Sequence, residues 1–165
     1  DFRKHKDNVE EAAEKFSPIA DLKQQMLQGN ITKDEFKAAR KQYIAAAERG
    51  DKTFSIDIKR KDENGNDISV FRTGTVDIKD SDRDKVVTKI EEMKTAYNSS
   101  GALQKEIAAA NGGVAVNIDN YAAFEDAEGL ATKQRNVYNK KIIAVQSSDK
   151  YGKAQAFEDY SKSSK

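Results

Sequence analysis

Cysteine is absent from the 165 residues, and histidine occurs once. The first absence removes disulfides and thiolate metal sites. With His5 as the lone imidazole, the usual nucleophile–base pairs are unavailable as well. His5 lies near the N-terminus among charges and is expected to be exposed and inert. No run of about 18 apolar residues occurs, so no segment is expected to span a membrane, and no signal peptide is visible. The phosphate-loop pattern G-x-x-x-x-G-K-[ST] and a strand-linked G-x-G-x-x-G are both missing. "NGGVAV" at 111–116 is glycine-rich, but it leads into an alternating run and so lacks the helix N-terminus that holds a phosphate. No cofactor is implied. The first residue is Asp, the expected sign of a processed or trimmed chain, which leaves secreted or periplasmic as open as cytoplasmic.

What is present favours helix. There is one proline, hydrophobic residues make up 37% and charged residues 35%, and the mean hydropathy is −0.85. Such a chain builds amphipathic helices with one thin apolar stripe each. Its length fits one domain, spanning 1–165. The net charge of +1 hides an asymmetry: residues 62–92 carry nine acids against five bases, and residues 130–165 carry eight bases against three acids. Mutual attraction and solvated faces account for this most simply. A basic C-terminal region meeting an acidic partner, nucleic acid or lipid head groups is the sharper reading. Tyr138 among the bases of "KQRNVYNKK" would permit base stacking, but the bases are few and dispersed, so nucleic acid is disfavoured.

The stretch "LQGNITKDEF", 27–36, stops one helix and starts another. Gly29 suits a left-handed C-terminal cap. Thr32 and Glu35 have the spacing of a capping box, and Ile31 and Phe36 that of a hydrophobic staple. Upstream, Ser17 reads as a cap with Pro18 at the first helical position, followed by Ile19, Leu22 and Met26 on one face. Downstream, Phe36, Ala39, Tyr43 and Ala46 or Ala47 keep the helical period. A helical hairpin is expected.

Residues 20–44, "ADLKQQMLQGNITKDEFKAARKQYI", resemble the SHOCT domain, a short helical hairpin often found at bacterial C-termini. The resemblance covers about a sixth of the chain, and here it lies near the N-terminus. It implies oligomerisation or partner contacts and no catalysis. On that reading Phe36 and Tyr43 would be partly exposed and available to a partner; a core this thin instead predicts their burial.

A first helix is expected over 3–16, with Val9, Ala12, Ala13 and Phe16 on one face. After Gly50 the period falls to two. Phe54, Ile56 and Ile58 alternate, then Ile68 and Val70, around Asn64-Gly65, which reads as a type I′ hairpin turn. A two-residue loop opposes Ile58 to Phe71 and Asp57 to Arg72. A three-residue loop gathers Ile58, Val70 and Val76 on one face, and a bulge at Gly74 would reconcile the two registers. From Ser81 the period is helical again through Val86, Ile90, Met93 and Tyr97. "NSSG" at 98–101 interrupts it, Leu103 and Ile107 resume it, and "NGG" stops it. Val114, Val116 and Ile118 form a candidate third strand at 114–118. Asn120 caps a long helix to about Gln146, with Gly129 inside it. A weaker helix is expected at 149–160, through Tyr151, Ala154 and Phe157, before a frayed tail at 161–165.

One constellation has metal-ligand spacing. In "DSDRDKVVTKIE", Asp80, Asp82 and Asp84 take positions 1, 3 and 5 of an EF-hand loop, Thr88 position 9 and Glu91 position 12. Lys85 stands where that loop needs Gly, and the helical period already begins at Val86. A helix N-terminus, capped by Ser81 with Asp84 at N3 and acids complementing the dipole, explains the same residues.

The fold class expected is α+β, predominantly helical, with a helical hairpin and a small antiparallel sheet built on one β-hairpin. The expected function is a non-enzymatic protein-interaction or structural protein of bacterial or phage origin. It would act through helical surfaces, on another protein or on itself. The rivals are a small calcium-binding module at Asp80–Glu91 and a carboxylate-dependent extracytoplasmic enzyme with two acids across a cleft. Among 28 acids, no pair can be chosen from sequence.

Overall fold

The computed structural model describes residues 2–148. Three helices come first: α1 (Phe2–Ala13), α2 (Ser17–Leu27) and α3 (Lys33–Arg49). A two-armed ribbon follows, made of β1 (Thr53–Phe54), β2 (Asp57–Lys61), β3 (Asp67–Arg72) and β4 (Val76–Asp77). Helices α4 (Asp80–Ser99), α5 (Gly101–Ala110) and α6 (Tyr121–Ser148) complete it. The fold is α+β and predominantly helical. No helix among the described residues is long and apolar enough to cross a membrane. The final helix expected at 149–160, the tail after it and the Tyr138 side chain lie outside the described residues and side chains.

The α2–α3 joint is built as its residues dictate. Gly29 is left-handed at φ 82°, and the amides of Gly29 and Asn30 return to the carbonyls of Met26 and Gln25. This pairing is a Schellman closure. Thr32 Oγ1 accepts from the Glu35 amide at 3.1 Å, and Glu35 Oε1 accepts from the Thr32 amide at 2.8 Å, which completes the capping box. The start of α2 differs from expectation. Its cap is Phe16, with no side-chain hydrogen bond, and Ser17 is already helical. The Phe16 carbonyl accepts from the amides of Ile19 and Ala20, so the turn closes without the Ser17 hydroxyl.

The ribbon holds both registers weighed from the sequence. Next to the turn Lys61 pairs with Asp67, Arg60 with Ile68 and Lys59 with Ser69, the three-residue-loop register. Beyond it Ile58 faces Phe71 and Asp57 faces Arg72, the two-residue-loop register. The extra residue that joins them is Val70, not Gly74. A second slip does fall near Gly74: only Ser55 separates Phe54 from Ile56, while Gly74 and Thr75 separate Thr73 from Val76. That slip divides the ribbon into two ladders, β1–β4 and β2–β3.

The turn itself is not type I′. Asn64 has negative φ, and only Gly65 is left-handed, at 81°. The Gly65 amide returns to the Asp62 carbonyl at 3.1 Å, and Asp62 Oδ1 accepts from the amides of Asn64 and Asn66, both at 2.9 Å. Asp62 therefore organises a three-residue loop, and its side-chain bonds favour that loop over the tighter one.

Residues 114–118 form no strand. They alternate, but no described edge pairs with them. Val116 instead gives its carbonyl to the Tyr97 hydroxyl at 2.8 Å, Ile118 is buried, and Val114 is 63% exposed. The segment is an anchored connection between α5 and α6.

One apolar core runs from Val9 and Phe16 through Leu22, Phe36, Tyr43, Phe54 and Met93 to Phe124 and Ala131. Helix α1 packs on α4, α6 and α3, and α5 packs on α6. Helix α4 buries Val86, Ile90, Met93 and Tyr97. Its N-cap is Lys79, without a side-chain bond, so Ser81 is inside the helix and does not cap it. Ser100 caps α5 through the Leu103 amide, and Asn120 caps α6 through the Ala123 amide.

Candidate functional site

Phe36 and Tyr43, the residues expected to meet a partner on the SHOCT-like reading, are core residues at 3% and 0% exposure. Tyr43 stands edge-on to Phe16, with ring centroids 4.3 Å apart, and to Phe54 at 5.5 Å. The Arg40 guanidinium lies 5.3 Å from the Phe36 ring centroid. The Tyr43 hydroxyl is buried without a hydrogen-bond partner, and burial raises its pKa. The folded monomer offers neither side chain to a partner, because the α3 face that carries them is the one α1, α2 and the ribbon cover.

Asp80, Asp82, Asp84, Thr88 and Glu91 all lie within α4. A continuous helix turns about 100° per residue, so Asp80 and Asp82 diverge and the five oxygens do not converge on one point. Asp80 is almost fully exposed and pairs with Arg83 at 3.1 Å. Among the described residues no group of three or more acids and histidines is placed to hold a metal.

His5 was expected to be exposed; it is half-buried, on α1, with Nδ1 enclosed and unpartnered. It borders a small cleft of about 240 Å³ with Met93, Tyr97, Leu103 and Phe124. The i, i+4 step from His5 to Val9 places it on the core face of α1, a signal the sequence carried but its terminal position obscured.

A charged joint lies where α1, α3 and α6 meet. Glu10, 7% exposed, accepts from Lys6 at 2.9 Å, Arg40 at 3.1 Å and the Tyr121 hydroxyl at 3.0 Å. The Tyr121 hydroxyl is also 2.9 Å from Glu125, which pairs with Lys41 at 3.2 Å. Burial, with Glu10 and Glu125 nearby, raises the Tyr121 pKa. Burial opposes ionisation of Glu125, but the Tyr121 hydroxyl and Lys41 outweigh it, and its pKa is lowered. Every charge has a partner, so the joint holds three helices in register.

Nearby, a cleft of about 410 Å³ opens between α3, α4 and the start of α6, lined among others by Glu48, Glu91, Lys94 and Asp119. Burial raises the Glu48 pKa; the Tyr121 amide, 3.1 Å from Glu48 Oε1, and Lys94 pull it down, and Glu91 pushes it up. Glu48 thus serves as a cap for α6, supplied from α3, in addition to Asn120.

Helix α6 presents a different surface. Tyr121, Phe124, Ala127 and Ala131 are buried, and beyond Ala131 no described side chain is. Leu130 and Val137 are 40% and 49% exposed. They lie two turns apart, about a third of a turn around the helix from the buried face. Lys133 and Lys140 flank them and are exposed. Arg135 turns back to ion-pair with Glu106 of α5. Sequence reasoning placed this helix but did not single out Leu130 or Val137; their break with the buried period was the available signal. The chain matches no family model, no curated protein and no solved structure.

Proposed function

We propose that this chain is a non-enzymatic interaction or structural protein acting through helical surfaces, with α6 from Leu130 to Lys140 as its contact element. One observation carries the reading: after Ala131 and as far as Lys140 no described side chain of α6 is buried, and the helix shows Leu130 and Val137 to solvent. Two exposed apolar side chains on one helical line gain by being covered with another protein. The bacterial or phage origin rests on the SHOCT-like segment 20–44 alone. Its two helices serve the core of this chain, so the contact is assigned to α6 instead of Phe36 and Tyr43.

The test is a photo-crosslinking residue at Val137, with a control at Leu27, which is exposed elsewhere. Irradiation in the source cell should give a defined adduct from position 137 and none from 27. Equal, diffuse labelling from both positions would overturn the reading.

A second reading, a carboxylate-dependent enzyme acting outside the cytoplasm, draws on the cleft that brings Glu48 near Glu91, with the Glu48 pKa raised. It ranks lower because the cap that Glu48 provides to α6 already accounts for its position.

A further inference from the structure

We propose that the contact element of α6 docks on the outward face of α4 in a second copy of this chain. The inference rests on the interaction reading above and names its partner. Two surfaces on the molecule match. On α6, Leu130 and Val137 are seven residues apart, as are Lys133 and Lys140, all four exposed. On α4, the face opposite Val86, Ile90, Met93 and Tyr97 repeats at the same interval, with Asp84 and Glu91, then Thr88 and Thr95, all exposed. A shallow depression of about 550 Å³ lies on that face, with Thr88, Glu91 and Thr95 along its middle and Val87 and Ala96 on opposite edges. Thr88 and Thr95 are seven helical steps apart, about 10 Å, the same as Leu130 and Val137.

The chemistry pairs as the spacing does. The apolar side chains meet the threonine methyls, with Val87 and Ala96 at the two edges of the seam, while the two lysines reach Asp84 and Glu91, in the manner of flanking charges beside a helix–helix seam. Glu91 and Glu92 already hold Lys94 and Lys89 at 3.1 and 3.4 Å. Such exposed pairs contribute little, so exchanging them costs little. Charge also argues against α6 meeting α6. From Leu130 to Ser148 the sequence holds Lys133, Arg135, Lys140 and Lys141 and no acid. The contact is therefore α6 to α4: given and received by the same two copies it closes a two-fold dimer, and passed from copy to copy it builds a ring or a filament.

The experiment is sedimentation velocity over a concentration series, on three samples. Wild type should grow in mass with concentration. A chain with Lys133→Glu and Lys140→Glu, or one with Asp84→Lys and Glu91→Lys, should sediment as a monomer, with its dissociation constant raised more than about tenfold. An equimolar mixture of the two variants should regain association, because each reversed surface finds its opposite. A wild type that stays monomeric, variants that still associate, or a mixture that does not recover would each overturn the proposal. If wild type is monomeric while the crosslinker at Val137 captures a different protein, the interaction reading stands and this inference falls. Should a variant melt early, the self-adduct of the Val137 crosslinker decides instead: a cross-link within 84–96 supports the proposal, and one elsewhere overturns it.

Discussion

Glu35 grips Arg60 with both carboxylate oxygens, at 2.9 Å from Nε and 2.6 Å from Nη2, while Oε1 also completes the α3 capping box. One carboxylate thus starts a helix and ties it to β2, 25 positions along the chain. The Arg60 bond holds the Glu35 pKa down, from the usual 4.5 to about 2. An acid whose pKa is lowered on folding contributes stability above its unfolded pKa and loses it as pH falls through the folded one. Glu35 should therefore weaken the fold progressively between pH 4.5 and about 2. Both partners are partly exposed, so the effect should be small and reduced by salt. Arg60→Gln should flatten that part of the stability–pH curve, measured by urea unfolding. A curve of unchanged shape would count against the latch.

The hairpin loop depends on one left-handed residue. Gly65→Val forces a β-branched side chain to positive φ and should cost about 1–2 kcal/mol. Gly65→Asn should cost less, since Asn tolerates that region. Nothing lies within 4 Å of a Cβ built at Gly65, so the cost reads conformation and not crowding. Equal denaturation midpoints for Val and Asn would remove the left-handed assignment.

In the core, Phe36→Ala should cost about 3–5 kcal/mol with no change of mass in sedimentation. Thr32→Ala should cost about 1 kcal/mol through the lost cap. A Phe36→Ala chain that kept its melting temperature would mean that the aromatic ring is not buried in solution.

At the charged joint, Tyr121→Phe removes the single O–H that Glu10 and Glu125 share. Glu10 keeps Lys6 and Arg40, so the loss should be about 1–2 kcal/mol, read from chemical denaturation. A larger loss for Arg40→Met than for Tyr121→Phe is expected, because the arginine serves both Glu10 and Glu14.

Calcium titration should give no saturable heat and no shift in melting temperature, since Asp80, Asp82 and Asp84 ride on a continuous helix. A site lost on Asp80→Ala would show that the first turn of α4 can unwind into a loop.

Local rules were legible wherever a few neighbouring residues settle the matter. The capping box at Thr32 and Glu35, the left-handed Gly29, the stripe of Val86, Ile90, Met93 and Tyr97, and the breaks at 98–101 and 111–113 all follow from hydrogen bonds and periods within one or two turns of chain. So did the two hairpin registers. The choice between them did not, because it rests on Asp62 bonding two amides and on Val70 yielding its place in the ladder. Alternation at 114–118 was real, but a strand needs an edge, and α4 supplied a tyrosine hydroxyl in its place. Which faces are covered was decided by tertiary structure alone. Phe36 and Tyr43 carry the same local pattern whether they fill a core or meet a partner, and Leu130 and Val137 have the same spacing whether buried or bare. Burial belongs to pairs of surfaces brought together from distant parts of the chain, and no single stretch of sequence contains both.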